Sequence, residues 1–259
     1  MTSLITKTTS PSMKEEPMST GPAGPLSQVK ALTFDVFGTV VDFRSSIIAE
    51  GRELSRKHGF DVDWPAFADQ WRAEYRPHMD RVTAGEKWVN VDAIYRQALD
   101  MLLEKFDIQG LSEDEKVHFN LVWHRLDAWG DSVQGLERLR KRFILATLSN
   151  GNVKLLVDLA RHASLPWDLI LSSEIVKAYK PDPRMYQSAV DLLSLEPHEI
   201  MMVAAHQYDL RAAQELGFRS AFVMRPLEHG PEAKVDLTVD DSFDIVANDM
   251  VDLARQLGL

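Results

Sequence analysis

The chain has 259 residues, 45% of them hydrophobic, enough for one large domain or for a core with an insert. Its 29 basic and 39 acidic residues give a formal charge of −10, which argues against nucleic acid as a partner, although an acidic protein can still carry a locally positive site. It has no cysteine, which excludes disulfides, thiolate catalysis and cysteine-held zinc, and no apolar run approaches the roughly 20 residues that span a bilayer.

Residues 1–28 are rich in Ser, Thr, Pro and Gly without apolar periodicity, which predicts a disordered tail. The stretch lacks the apolar middle of a secretory signal. It has no Arg and carries Glu15-Glu16, which counts against a transit peptide; a start at Met13 or Met18, or an appended leader, fits it as well. The absence of cysteine is compatible with a reducing cytoplasm, where the chain is expected to work.

From Val29 onward two textures alternate. Apolar, β-rich runs at 29–36, 143–148, 168–172, 200–205, 219–223 and 236–239 predict strands. Helical patterns at 153–163, 183–194 and 209–217 lie between several of them. Strands that are apolar throughout, alternating with helices, predict an α/β fold whose parallel sheet is covered on both faces. One gap breaks the rhythm. Between Ser45 and Ser132 no strand pattern is found; helical patterns occupy 46–58, 64–79, 88–106 and 112–129. Trp64, Trp71, Trp88 and Trp123 lie in this region, with Trp129 at its exit. A connection of roughly ninety residues is too long for a loop, so 46–132 is predicted as a helical subdomain inserted into a core of 29–45 and 133–259.

Ligands of open α/β sheets bind beyond the carboxyl ends of the strands. Four such ends carry polar residues. The first is Asp35, followed by Phe37 and a Gly38-Thr39 turn in which Thr39 can bond the carboxylate. The second is Thr147-Leu148-Ser149-Asn150-Gly151, where a hydroxyl and backbone N–H groups can hold an anion. The third is Lys180, kept extended by Pro181 just before a helix. The fourth is Ala204-Ala205-His206, leading to Asp209 at a helix start. Taken singly, each also fits a helix cap, a turn or a surface residue.

The ordered set Asp-Thr, Ser-Asn, Lys-Pro, Asp resembles the haloacid dehalogenase-like superfamily over residues 29–250. The runs DVFGTVVD, TLSNG and YKPDPRMY with a helical cap resemble its L-2-haloacid dehalogenases (type II). The resemblance implies a doubly wound, Rossmann-like core with an inserted α-helical cap. It also implies a hydrolase that converts short (S)-2-haloacids, fluoroacetate among the candidates, to (R)-2-hydroxy acids without metal or organic cofactor. By it, Asp35 displaces the halide and forms an ester that water hydrolyses. Thr39 orients Asp35, Lys180 keeps it ionised, and Asp209 holds Lys180 or positions water. Phe37, Arg72, Ser149, Asn150 and Tyr186 are expected around the substrate: Ser149 on its carboxylate, Arg72 and Asn150 on the halide, Tyr186 shaping the site. Family phosphatases carry a second Asp where Phe37 stands here, to protonate an alkoxide, and bind Mg²⁺ with further acids near Asp209. A halide is a weak base and leaves without a proton. The fourth motif departs from the usual Ser-Ser-Asn of the family. There His206 offers two readings, a general base of near-neutral pKa or a hydrogen-bonded structural residue. Homodimers are common in the family. A Mg²⁺-dependent phosphatase or phosphonatase and a silent binding protein are the rival readings.

Overall fold

The computed structural model describes residues 24–233, 238 and 241–259. A short 3₁₀ turn, Gly24–Gln28, occupies the end of the predicted tail and leads into β1 (Ala31–Phe34); the rest of that tail lies outside the described residues. After β1 comes a two-residue strand, β2 (Val41–Asp42), and then the insert: α1 (Phe43–His58), α2 (Trp64–Thr83), α3 (Val91–Lys105) and α4 (Glu113–Asn120). A 3₁₀ turn, Leu121–His124, and β3 (Asp127–Ala128) close it. The predicted helix over 112–129 therefore ends early. Its apolar pattern continues through Val122 and Trp123, but these are buried from a 3₁₀ turn. The region expected to lack strands contains β3, which pairs antiparallel with β2 (Val41 opposite Ala128) and ties the two ends of the insert together.

The remaining chain alternates as expected: α5 (Ser132–Leu139), β4 (Ile144–Ser149), α6 (Val153–His162), β5 (Leu169–Ser172), α7 (Ser173–Val176), α8 (Pro183–Leu193), β6 (Ile200–Ala204), α9 (Gln207–Glu215), β7 (Arg219–Val223), β8 (Ile245–Ala247) and α10 (Met250–Gln256). Six parallel strands form one sheet in the order β5-β4-β1-β6-β7-β8. The sixth strand is Ile245–Ala247; the predicted strand at 236–239 falls almost wholly outside the described residues.

Strand alternation divides the core into two layers. Leu32, Phe34, Leu145, Met201, Val203 and Val223 pack with Leu136 of α5, Leu155 of α6 and Leu253 of α10. Ala146, Leu148, Met202, Ala204 and Phe222 pack with Met185 of α8 and Leu210 of α9. The sheet is thus helix-covered on both faces, which is the doubly wound arrangement. Gly135 lets α5 and α10 approach closely: a Cβ there would stand 2.6 Å from the backbone carbon of Met250.

The insert has its own aromatic interior. Trp71, Tyr95, Phe119 and Trp123 are buried, and the Tyr95 and Trp123 rings stack with centroids 3.7 Å apart and planes 1° from parallel. Trp123 also meets Phe37 and Phe43, so this interior runs into the loop after β1.

The topology places the site. From β1 the chain steps outward through β4 to β5, then crosses back to set β6 on the other side of β1. The reversal falls at β1, and the crevice beyond its carboxyl end is where such sheets bind ligands.

Candidate active site

Asp35 lies one residue past β1, buried, with its backbone N–H donating to Val203 O at 3.0 Å. Its two oxygens are used differently. Oδ1 accepts from Lys180 Nζ at 2.9 Å. Oδ2 accepts from Thr39 Oγ1 at 2.9 Å and lies 2.9 Å from His206 Nδ1. Thr39 Oγ1 in turn accepts from Ala205 N–H at 2.9 Å, which commits its own proton to Asp35. Burial alone would raise the Asp35 pKa; the Lys180 ammonium and the His206 ring overcome it and hold the carboxyl far below the usual carboxylate range.

Lys180 is 4% exposed and also pairs with Asp209 Oδ2. Burial would lower its pKa, but Asp209 and Asp35 outweigh that, and it remains an ammonium. Its backbone N–H donates to Asn150 Oδ1 at 2.8 Å, fixing the loop that delivers it. Asp209 is fully buried; burial, with the Asp35 charge beside it, raises its pKa, so it is the more readily protonated of the two acids sharing Lys180.

Tyr186 reaches the site through Asp209. Its hydroxyl donates to Asp209 Oδ1 at 2.6 Å, and its ring is buried with Met185 and Phe222 in the layer under α8 and α9. It braces Asp209 on the side away from Lys180, which takes the other oxygen. Phe37 likewise belongs to the apolar interior, edge-on to Trp123 with centroids 6.1 Å apart.

The remaining predicted residues converge from the second strand end and the insert. Ser149 is buried, and its Oγ accepts from Gly151 N–H at 3.2 Å, which leaves the hydroxyl proton to donate. Asn150 Nδ2 donates to Tyr75 OH at 3.1 Å. Arg72 on α2 stacks its guanidinium 4.4 Å from the Tyr75 ring centroid and reaches Tyr95 OH at 3.4 Å. Tyr75 thus connects Arg72 with Asn150. A cavity of about 320 Å³ is bounded by Phe43, Asp69, Arg72, Ala73, His229 and Ala233.

Sequence reasoning missed Glu228. It is 3% exposed and sits in the loop beyond β7, with Oε1 2.8 Å from His206 Nε2. Burial would lower the His206 pKa, but Glu228 and Asp35 push it up to about 10. The near-neutral value expected for a base is therefore not what this ring has: at neutral pH it is a cation. The signal for Glu228 was available. It follows the predicted strand 219–223, a fifth strand end beside the four that carry the motifs.

The family model for haloacid dehalogenase-like hydrolases matches residues 29–217. The chain belongs to that family. (S)-2-haloacid dehalogenase 1 of Pseudomonas sp. (strain CBS-3) is 30% identical over 207 residues, 77% of this chain and 86% of that one. The solved L-2-haloacid dehalogenase PA0810 is 44% identical with a TM-score of 0.85, covering 88% of this chain and 98% of that one. A solved defluorinating L-2-haloacid dehalogenase is 43% identical, also at 0.85, over 88% of this chain and 95% of that one. In this haloacid dehalogenase-like hydrolase the polar residues gather where the six-stranded sheet meets the helical insert. Among the described residues no helix is long and apolar enough to cross a membrane.

Proposed function

We propose that this hydrolase of carbon–halide bonds converts short (S)-2-haloacids into (R)-2-hydroxy acids through an ester of Asp35, without a metal. The observation that carries this reading is a buried Asp35 facing the donors Lys180, Thr39 and His206, beside an apolar residue at Phe37. Such a site offers a nucleophile but no acid at the position two residues on, which suits a leaving group that needs no proton. Lys180 lies between Asp35 and Asp209, pairs with both, and supplies positive charge there itself.

In the first step an Asp35 oxygen attacks C2 as the halogen departs with the bonding pair, inverting the centre. Ser149 and nearby backbone N–H groups hold the substrate carboxylate, and Arg72 with Asn150 receives the halide. In the second step water attacks Cγ of the ester, which releases the hydroxy acid and restores Asp35. Asp209 holds Lys180 through Oδ2 while Tyr186 holds its Oδ1, and so supports the ammonium that faces Asp35. Fluoroacetate belongs to the proposed substrate range, and the protein is proposed to act in the cytoplasm as a homodimer.

The test is halide release in EDTA from (S)- and (R)-2-chloropropionate, with Asp35→Asn as control. Chloride from the (S)-isomer alone, lost in the variant, is expected. Release that needs Mg²⁺, or that survives in Asp35→Asn, would refute the reading.

A further inference from the structure

His206 stands between two buried acids, and only one of them is placed to react. Nδ1 is 2.9 Å from Asp35 Oδ2 and Nε2 is 2.8 Å from Glu228 Oε1. A carboxylate oxygen can only accept, so each ring nitrogen must donate, and the ring carries both protons. An imidazolium has no lone pair with which to take a proton from water, and the base role is closed to it in this state. What it can do is donate to whatever charge builds on Oδ2.

The donors on Asp35 distinguish its oxygens. Oδ1 has Lys180 alone. Oδ2 has two donors, Thr39 Oγ1 and His206 Nδ1, and Thr39 is itself fixed by Ala205 N–H. The less encumbered oxygen is the one to attack carbon. Oδ1 then becomes the ester oxygen and Oδ2 the ester carbonyl, already facing two donors.

Building on the dehalogenase reading above, we propose that Glu228 is a positioning residue that holds His206 as the second donor of an oxyanion site on Asp35 Oδ2, used in ester hydrolysis. When water oxygen bonds to Cγ, the carbonyl pair moves onto Oδ2, where Thr39 and His206 meet it. Collapse breaks the Cγ–Oδ1 bond. One water proton ends on the departing alkoxide, and the other leaves to solvent as the carboxylate is restored. Fixed donors aimed at a developing charge act strongly because they need no reorganisation.

The surroundings keep Glu228 in place. Gly38, at φ +83°, leaves the space that Glu228 fills: a Cβ there would stand 2.1 Å from Oε1. A charged His where the family pattern has a neutral Asn adds a positive charge, and Glu228 cancels it. The other charged and titratable groups facing this pair are Arg72 from α2, Tyr208 from α9, His229 beside Glu228, and Lys180 with Asp209 across Asp35. The high His206 pKa agrees with the arrangement.

The test uses the full-length protein and Glu228→Gln. Ring ¹⁵N shifts should show His206 doubly protonated at about pH 8 in the wild type and titrating at least about one unit lower in the variant. With (S)-2-chloropropionate, Glu228→Gln should keep a first-turnover chloride burst equal to enzyme. Its steady-state kcat should fall about 10²-fold, the loss deepening as pH rises through the lowered His206 value. In a His206→Asn background the same substitution should add little. Should Glu228→Gln fail to fold, Glu228→Asp withdraws the carboxylate by one methylene and is read the same way. An unchanged burst, kcat and pH profile in the variant overturns the proposal, as does loss of the burst itself, which would place Glu228 in the displacement step. A wild type that releases no halide from any 2-haloacid is a different failure, since it removes the dehalogenase reading and this proposal together.

Discussion

Two histidines of this protein are each bracketed by two carboxylates, and they do different work. His206 lies between Asp35 and Glu228; His124 lies between Asp92 Oδ1 at 3.0 Å and Asp158 Oδ2 at 2.9 Å. In both, burial would lower the imidazole pKa and the paired acids raise it. The acids differ. Glu228 and Asp35 are nearly enclosed, with side chains 4% and 10% exposed, whereas those of Asp92 and Asp158 are 29% and 32% exposed. Asp92 lies in the first turn of α3 in the insert and also accepts from Asn152 Nδ2 at 2.8 Å, while Asp158 lies on α6 of the core. His124 therefore ties the insert to the core helix, and His206 faces the carboxylate that we propose reacts. The lesson is that a bracketed histidine acquires its role from what its acids do, and nothing in the triple itself separates a mechanical tie from a donor at the reacting atom.

The largest effect expected from breaking this comparison is at the acids. Asp35→Asn should lower halide release by more than about 10⁴-fold, as nucleophile removal does, while Asp92→Asn leaves turnover close to wild type. Next is the cation shared by the two site acids. Lys180→Met leaves Asp35 and Asp209 buried without their partner and should cost about 3–5 kcal/mol in denaturant unfolding, besides abolishing turnover. Third, His124→Gln should cost about 1–3 kcal/mol with the chloride burst and kcat retained, since it unties the seam and leaves the site.

The pH dependence sharpens the contrast between the rings. Both have folded pKa values above the unfolded one, so each contributes stability that is complete below the ordinary imidazole value and is lost as pH rises through the folded value. For His206 that loss runs from about 6.5 to about 10. The stability gap between wild type and His124→Gln should shrink toward alkaline pH, measured by thermal melts across the range. The smallest effect is expected at the exposed end of the seam: Lys154→Ala removes a surface pair with Asp158 and should change stability by no more than about 0.5 kcal/mol.

Much of this was legible in the sequence because parallel strands buried on both faces read as continuous apolar runs. The five longer sheet strands were visible that way, and so was the insert, whose helices interrupt the rhythm. β8 was missed: Ile245–Ala247 has only three residues and follows an acidic run. β3 escaped because two residues carry no period. Asp35, Thr39, Ser149, Asn150, Lys180, His206 and Asp209 stood out as polar residues where apolar strands end, and the fold gathers them. Tyr186 stands out only by its spacing from Lys180, which could not show that its hydroxyl reaches Asp209. Tyr75 and Tyr95 enter the site through the packing of α2 on α3, a long-range arrangement that no local pattern records. Glu228 depends on the missing Cβ of Gly38, nearly two hundred residues away in sequence.

The central claim is the ester on Asp35, and a single turnover in H₂¹⁸O tests it most directly. With enzyme in excess over (S)-2-chloropropionate, the account predicts ¹⁸O in the peptide that contains Asp35 and none in the first-formed hydroxy acid, because water attacks Cγ and the product takes the old aspartate oxygen. Label in the hydroxy acid, with Asp35 unlabelled, would mean that water attacks the substrate carbon itself and would contradict the account.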